Sequence, residues 1–181
     1  MLIAVAILLW AARPILQTLS FAHTPEWLVS KATPETRLMG INVSDDSLAD
    51  VIRRFGKPSK VDENPQYPNE RSYTWDKGDL TLRVSTMFPD NTSQATGEHV
   101  YSVFVRGNAS IPAARTGASI RLGDSIGKLI ARYGSRYQTG HREDMGDGLT
   151  VVFVFSDDTE LAAALNEDGK ITALQLTASA E

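Results

Sequence analysis

Residues 124–134 read DSIGKLIARYG and residues 46–56 read DSLADVIRRFG, so the chain carries one helical pattern twice. After the opening Asp-Ser pair, apolar residues stand at i, i+3, i+4 and i+7 in both copies, which places four side chains on one face of a two-turn helix. Each copy ends on glycine, a residue that closes helices by adopting a left-handed backbone conformation. The repeat therefore predicts two short amphipathic helices, with the apolar faces Leu48, Val51, Ile52 and Phe55 and Ile126, Leu129, Ile130 and Tyr133.

Segments that alternate apolar and polar residues follow each predicted helix, and this alternation is typical of strands with one buried face. In the first half, the segment 76–79 (DKGD) has the composition of a tight hairpin turn. Each half is therefore predicted to be a helix followed by an antiparallel meander of about three strands. The predicted strands are 72–75, 80–84 and 100–105 in the first half, and 149–155, 160–165 and 170–176 in the second.

This organisation predicts an α+β protein of two tandem repeats, each a short helix packed on an antiparallel β-meander. Repeat 1 covers residues 39–107, and repeat 2 covers residues 118–178. The segments 23–38 and 108–117 contain prolines or small residues without sustained periodicity, and we predict that they are linkers. Because about 60 residues is marginal for an independent core, we expect the repeats to lie side by side and share sheet edges or an interface.

The first 22 residues are almost entirely apolar and are interrupted by Arg13 and Pro14. An apolar core that ends in a small-x-small sequence at 20–22 fits a secretory signal that is cleaved before His23. An uncleaved anchor, which would tether the protein to a membrane through residues 1–22, and an apolar helix packed on the domain are the alternatives. The first two interpretations both predict a periplasmic or secreted protein.

The composition limits the classes of function. The chain has 181 residues, a net charge of −4 and a pI near 5.4. This acidic balance argues against a nucleic-acid-binding protein, because such a protein needs a basic patch to displace counterions from phosphates. The absence of cysteine excludes disulfides, thiolate metal sites, a cysteine nucleophile and lipid attachment through cysteine.

No combination of residues forms a recognisable catalytic set, so we predict a non-enzymatic protein without a cofactor or a metal site. The serine of each Asp-Ser pair stands at a helix start and lacks the Gly-x-Ser-x-Gly frame of a nucleophile. One alternative is kept, in which the acidic segment 141–147 binds a small ligand or holds a divalent cation through Glu143, Asp144 and Asp147. A purely structural envelope protein is a second alternative.

The order of a strand, then Asp-Ser-x-x-x-[Val/Leu]-Ile-x-Arg-[Phe/Tyr]-Gly, then a meander resembles a known superfamily. It is the superfamily that contains β-lactamase inhibitor protein and the outer-membrane assembly lipoproteins of the SmpA/OmlA (BamE) type. The resemblance covers residues 40–178 and implies a short helical hairpin on one face of an antiparallel sheet, in two tandem units as in the inhibitor branch. It also implies an exported module that binds another protein, as an inhibitor or as an assembly factor.

The chain departs from both branches because it lacks the cysteines of the lipid anchor and of the inhibitor's disulfides. In the inhibitor branch, a first-repeat hairpin turn that contains Gly-Asp projects into an enzyme's active site. Gly78 and Asp79 lie at a similar place in this chain. The resemblance therefore points to Asp79 as a partner-binding residue, while a plain hairpin turn is the alternative.

A surface of the predicted sheet is the remaining candidate for function. If residues 151, 153 and 155 face the helices, then Val152 and Val154 point to a side of the sheet that has no helix assigned to it. Thr74, Arg83 and Phe104 occupy the corresponding side in the first half. A partly apolar sheet face without helices is a candidate binding surface, unless the other repeat or the amino-terminal segment covers it. We therefore predict that a partner protein binds this face and the hairpin loops, and the resemblance above implies that this partner lies in the cell envelope.

Overall fold

The computed structural model describes residues 25–65, 67–88, 98–108, 114–156 and 159–178. Within these ranges the chain forms one antiparallel sheet of eight strands, and the two α-helices pack against the same face of it. The predicted α+β class is therefore confirmed.

The elements of the described ranges fall into two sets that follow one another along the chain. A small two-stranded sheet of β1 (Arg37–Leu38) and β2 (Ile41–Asn42) precedes the first helix. The first set is α1 (Leu48–Phe55), β3 (Lys60–Glu63), β4 (Glu70–Lys77), β5 (Leu80–Met87) and β6 (His99–Gly107). The second set is α2 (Ile126–Tyr133), β7 (Gln138–Gly140), β8 (Leu149–Val154), β9 (Glu160–Leu165) and β10 (Ile171–Thr177). Short 3₁₀ turns lie at Glu26–Leu28 and Glu143–Met145.

The strand order in the sheet is β3-β4-β5-β6-β10-β9-β8-β7. Each set of strands therefore runs from one edge of the sheet towards its centre. The two sets meet where β6 pairs with β10, with Val105 opposite Leu174. The two halves of the chain share a sheet edge, and the result is one continuous sheet.

Each set contains four strands, whereas the sequence predicts about three. The additional strands are β3, whose four residues are all exposed, and β7, which has only three residues. Both lie at the edges of the sheet, where short and charged strands limit pairing with other chains. Because β3 and β7 have no buried face, their residues do not alternate between apolar and polar. For this reason, their sequences resemble loops.

The main core lies between the two helices and the inner face of the sheet. Alternate residues of the long strands point into it, as the sequence predicts, and fully burying each large apolar side chain contributes about 1.5–3 kcal/mol. Each helix contributes through the predicted apolar face, although Ile52 remains 38% exposed. Buried core residues from both halves include Val51, Trp75, Leu82, Val105, Leu129, Tyr133, Phe153 and Leu174.

The two helices end alike but begin differently. Each closes at a glycine with positive φ, 82° at Gly56 and 88° at Gly134. At the start of α1, the Ser47 hydroxyl accepts a hydrogen bond from the Asp50 amide, and the Asp50 carboxylate accepts one from the Ser47 amide. At the start of α2, Ser125 makes no side-chain capping bond. The reciprocal capping is possible only where an acceptor side chain stands three residues after the serine.

This difference predicts unequal effects of two matched substitutions. Ser47→Ala removes a capping acceptor and is expected to lower the free energy of unfolding by about 1 kcal/mol. Ser125→Ala removes no capping bond and is expected to cost less than about 0.5 kcal/mol. Urea unfolding followed by circular dichroism measures both, and equal losses in the two variants would contradict the assignment of the cap.

The segment 23–38, which the sequence predicts to be a linker, packs on the second half from Ser30 onward. The Ser30 hydroxyl donates a hydrogen bond to the carbonyl oxygen of Tyr133 at 2.6 Å. The carboxylate of Glu35 is buried and accepts the hydroxyl hydrogen of Tyr133 at 2.9 Å, and Leu38 is fully buried. The segment is held chiefly by polar contacts with distant residues, and apolar periodicity does not reveal such contacts.

The other predicted linker, 108–117, is described at Asn108 and from Ala114 onward. Ala114 and Thr116 are buried, and Thr116 bridges to Leu38. The last part of this segment therefore belongs to the folded body. The predicted signal or anchor at residues 1–22 lies outside the described residues. Within the described residues, no helix has the length and apolar character needed to cross a membrane.

Candidate functional site

The face of the sheet opposite the helices, called the helix-free face, brings together most of the sequence-predicted binding residues. Thr74, Arg83, Phe104 and Val152 each lie between two residues of the main core, so each points to this face. Residues that are directly opposite in an antiparallel sheet share a face. The register places these four in one row across the sheet, which reads Lys60, Thr74, Arg83, Phe104, Gln175, Ala162, Val152 and Gln138.

The half of the helix-free face formed by β4, β5 and β6 carries mainly hydroxyl and charged side chains, and we call it the polar half. Its outward residues also pair with one another across strands. Ser72 and Ser85 share a hydrogen bond at 3.0 Å, and the Thr81 hydroxyl donates to Asp76 at 2.9 Å. The polar half is thus a surface of polar groups, some of which form hydrogen bonds with one another across strands. It is formed by Ser72, Thr74, Asp76, Thr81, Arg83, Ser85, Ser102 and Arg106.

The half formed by β8, β9 and β10 is closed by residues 141–148, which we call the cover segment. Met145, in its 3₁₀ turn, is 1% exposed and packs against outward residues of these strands. Alanines on β9 and β10 leave room for it. The second apolar cluster formed in this way contains Phe104, Met145, Val152, Ala162, Ala164 and Ala173, with Val154 packed against it.

The cover segment corrects the prediction of an exposed apolar surface. Phe104 is 5% exposed and Val152 is 4% exposed, so neither is available to a partner in this conformation. Val154 is half-buried, and its carbonyl oxygen accepts a hydrogen bond from the Ser30 amide at 2.7 Å. Among the predicted residues of the row, Thr74 and Arg83 remain half-exposed on the polar half.

Asp79, the residue indicated by the resemblance, is exposed in the turn between β4 and β5. Gly78 supplies the positive φ of 61° that the turn needs. A side chain at Gly107 would lie 2.4 Å from the carbonyl oxygen of Asp79, so the turn rests closely on the end of β6. Asp79 therefore lies at the rim of the sheet, away from the row that contains Thr74 and Arg83.

Arg142 fixes the cover segment to the sheet. Its guanidinium donates hydrogen bonds to Glu160 at 2.9 Å, to Gln175 at 2.8 Å and to Asp144 at 2.9 Å. Burial raises the pKa of the Glu160 carboxyl above its usual range, Arg142 opposes this rise, and Asp144 adds to it. The cover segment is thus held by the buried side chain of Met145, which we call the methionine plug, and by the charged hydrogen bonds of Arg142.

Two substitutions are expected to move the pKa of Glu160 in opposite directions. Arg142→Met removes the cation that favours the carboxylate and should raise this pKa further, whereas Asp144→Asn removes a repelling anion and should lower it. Nuclear magnetic resonance titration of the Glu160 side-chain carboxyl measures both shifts. A lower pKa of Glu160 in Arg142→Met would contradict the pairing of Arg142 with Glu160.

The same shift fixes the sign of the pH dependence of stability. A carboxyl whose pKa is raised by folding holds its proton more tightly in the folded state than in the unfolded chain. The contribution of Glu160 to stability therefore falls as the pH rises through the window between its unfolded and folded pKa values, and it is constant above that window.

The acidic residues of the predicted cation loop do not converge. Asp144 turns towards Arg142, and Glu143 and Asp147 are exposed. Within the ranges that the structure describes, no group of three or more histidine, aspartate and glutamate side chains is arranged to hold a metal ion. No observation on these residues favours the cation-binding alternative.

A second hydrogen-bonded cluster, built around one carboxylate, lies on the helix side of the sheet, near the start of α1. Glu98 accepts hydrogen bonds from the hydroxyls of Tyr73 at 2.7 Å and Thr86 at 2.6 Å, and from Arg71 at 3.2 Å. Burial and the adjacent carboxylate raise the pKa of Tyr73 to about 12. Because the carboxylate is surrounded by donors, the cluster ties β4, β5 and β6 together, and it does not form an open site.

Two guanidinium groups lie against one aromatic ring at the centre of the helix-free face. The guanidinium carbon of Arg83 lies 4.8 Å from the centre of the Phe104 ring, and that of Arg106 lies 5.7 Å from it. Arg106 also contacts the cover segment, since a side chain at Gly146 would lie 2.7 Å from its Nη2 atom. Arg106 was not among the residues predicted from the sequence, although it stands two residues after Phe104 in the same strand and alternation places both on one face.

No protein-family model matches this chain, and no curated protein matches its sequence. Among solved structures, the chain is similar to a DUF4309 family protein (YjgB) from Bacillus subtilis subsp. subtilis str. 168. The two are 16% identical, with a TM-score of 0.46, and the alignment covers 82% of this chain and 88% of that chain.

Proposed function

We propose that this protein is an exported, non-enzymatic binding module of the bacterial cell envelope, and that a partner protein docks on the polar half of the helix-free face. The observation that carries the proposal is the asymmetry of the sheet. Both helices cover one face, and the cover segment closes part of the other. The polar half is left half-exposed, with hydrogen-bonding groups in register across three strands. Half-exposed polar groups on a sheet face suit a protein interface, whose rim and much of whose area are polar.

We also propose that the two halves are tandem repeats. Each half is an Asp-Ser start, a short helix of eight residues, a glycine with positive φ, and four antiparallel strands. The strand order runs from each edge to the centre in the same sequence, which supports a duplicated unit. Among the residues that the structure describes, the halves differ in their outward surfaces, because the cover segment with Met145 lies on the second half and no counterpart is described on the first. In this proposal, one copy keeps the binding surface and the other supports it.

The proposed export rests on the apolar residues 1–22. Fractionation of cells that produce the full chain, with sequencing of the amino terminus of the recovered protein, tests it. We expect recovery outside the cytoplasm, either with His23 as the first residue or with residues 1–22 intact and membrane-bound. Recovery in the cytoplasmic fraction with an intact amino terminus would contradict export.

Capture from a cell-envelope extract tests the binding surface with matched variants. Thr74→Trp places a large side chain in the middle of the polar half, and Ala131→Trp places the same side chain on an exposed position of α2. We expect one specific partner to be captured by the wild type and by Ala131→Trp, and to be lost in Thr74→Trp. Equal capture by both variants would show that the partner binds elsewhere.

A further inference from the structure

The strands of the described sheet carry three arginines, and two of them lack a carboxylate partner. Arg71 pairs with Glu98 and Glu63. For Arg83 and Arg106, no carboxylate among the described residues lies within 4.0 Å. Both guanidinium groups lie against the Phe104 ring, and Arg106 also lies next to Gly146 of the cover segment.

The carboxylates of the same face are, in contrast, already engaged. Asp62 pairs with Lys60 at 2.8 Å. Glu70 accepts a hydrogen bond from the Asn64 side chain at 3.1 Å, and Asp76 accepts one from Thr81 at 2.9 Å. The local balance on β5 and β6 is therefore positive in a chain whose net charge is −4.

We propose that Arg83 and Arg106, held against the Phe104 ring, form a receptor for the carboxylate side chains of an acidic segment of the partner protein. This inference rests on the proposed function and specifies the chemistry of the partner at that surface. A guanidinium that lies against an aromatic ring keeps the edge of its planar fork free to donate paired hydrogen bonds. Carboxylates accept such a pair in a bidentate geometry, which gives both energy and orientation.

The surroundings favour a polypeptide over an anionic membrane. Recognition of anionic lipids relies on clusters of several basic residues, and a chain of net charge −4 is repelled by such a surface. Two arginines surrounded by hydroxyl groups instead suit a ligand that offers both carboxylates and backbone amides. Ser72, Thr74, Thr81 and Ser85 supply those hydroxyl groups on the same face.

Fluorescence anisotropy with the purified full chain tests the receptor directly. The probe is a fluorescein-labelled peptide in which glutamate alternates with serine, and its counterpart with glutamine in place of glutamate is the ligand control. We expect the glutamate peptide to bind and the Arg83→Gln/Arg106→Gln variant to bind it about tenfold more weakly or worse. A matched variant, Arg53→Gln/Arg132→Gln, makes the same change of charge on the two helices and should retain wild-type affinity.

Several outcomes would overturn the receptor. They are equal weakening in both double variants, equal binding of the glutamine peptide, and absence of binding of the glutamate peptide by the wild type. Binding of phosphatidylglycerol vesicles that depends on Arg83 and Arg106, without binding of the peptide, would assign the site to lipid phosphate instead. Urea unfolding of both double variants shows whether any loss of binding reflects loss of folding.

Failure of this inference can be separated from failure of the proposed function. If the partner captured by the wild type is captured equally by Arg83→Gln/Arg106→Gln but is lost in Thr74→Trp, the docking surface stands and the acidic-segment receptor is overturned. If the partner is retained in Thr74→Trp as well, the docking surface itself is overturned.

Discussion

Glu35→Ala is expected to lower the free energy of unfolding by about 3 kcal/mol or more, because it leaves several donors without an acceptor in a buried site. Glu35 is 6% exposed. One carboxylate oxygen accepts hydrogen bonds from the amides of Thr36, Arg37 and Gly117, and the other accepts from the Ala118 amide and the Tyr133 hydroxyl. A single side chain thus ties the segment after Ser30 to the start of the second half and to α2.

Two further variants turn this prediction into a graded series. Glu35→Gln keeps the volume and one accepting oxygen but points an NH₂ group at donors. The free energy of unfolding that it loses should therefore lie between the losses in Glu35→Ala and Tyr133→Phe. Tyr133→Phe removes two hydrogen bonds, one to Glu35 and one with the Thr116 hydroxyl at 3.3 Å, and should cost about 1–2 kcal/mol. Urea unfolding of the three variants checks the order, and a loss of less than about 1 kcal/mol in Glu35→Ala would contradict the anchoring role.

Phe153→Ala is expected to cost about 3–5 kcal/mol, because it opens a cavity where α2 meets the sheet. Phe153 is fully buried, and its ring centre lies 5.5 Å from that of Tyr133 and 5.6 Å from that of Tyr137. Tyr133 in turn contacts Phe155 with ring centres 5.7 Å apart. Removal of the Phe153 ring therefore takes away the aromatic contacts with both Tyr133 and Tyr137.

The matched control lies in the same strand. Leu149 is 50% exposed, so Leu149→Ala should lower the free energy of unfolding by no more than about 0.5 kcal/mol. Thermal and urea unfolding of both variants measure the difference. Similar losses in the two variants would contradict the arrangement of β8 with residue 153 inward.

The helices were predictable because their determinants are local. The apolar spacing, the serine at the start and the glycine at the end are all contained in the segments 46–56 and 124–134, and the helices end at the predicted residues Phe55 and Tyr133. Alternation likewise placed Thr74, Arg83 and Phe104 on one side of the sheet. Their alignment in one row was not predictable, because register depends on turn lengths and on a bulge near Ser85.

The cover segment could not be predicted, because its burial depends on contacts between distant parts of the chain. Met145 stands in an acidic stretch without apolar periodicity, so the sequence pattern resembles a solvated loop. The available signal was on β9, where the outward residues Ala162 and Ala164 are both small. Small side chains on an outward face indicate that another segment approaches closely.

The same dependence on contacts between distant residues explains why the sequence did not predict the packing of the segment 23–38. Its polar residues suggest a linker. However, Ser30 and Glu35 are buried and form hydrogen bonds with Tyr133, which lies 103 and 98 positions away in the sequence. Buried polar groups need partners, and the sequence does not show which distant groups will supply them.

Photo-cross-linking from single positions in living cells tests directly whether the polar half of the helix-free face is the docking surface. Benzoylphenylalanine is introduced at Thr74 on that face or at Ala131 on the helix side, in the full-length chain at its natural level. We expect one discrete cross-linked partner from Thr74 and none from Ala131. A partner cross-linked from Ala131 and not from Thr74 would contradict it.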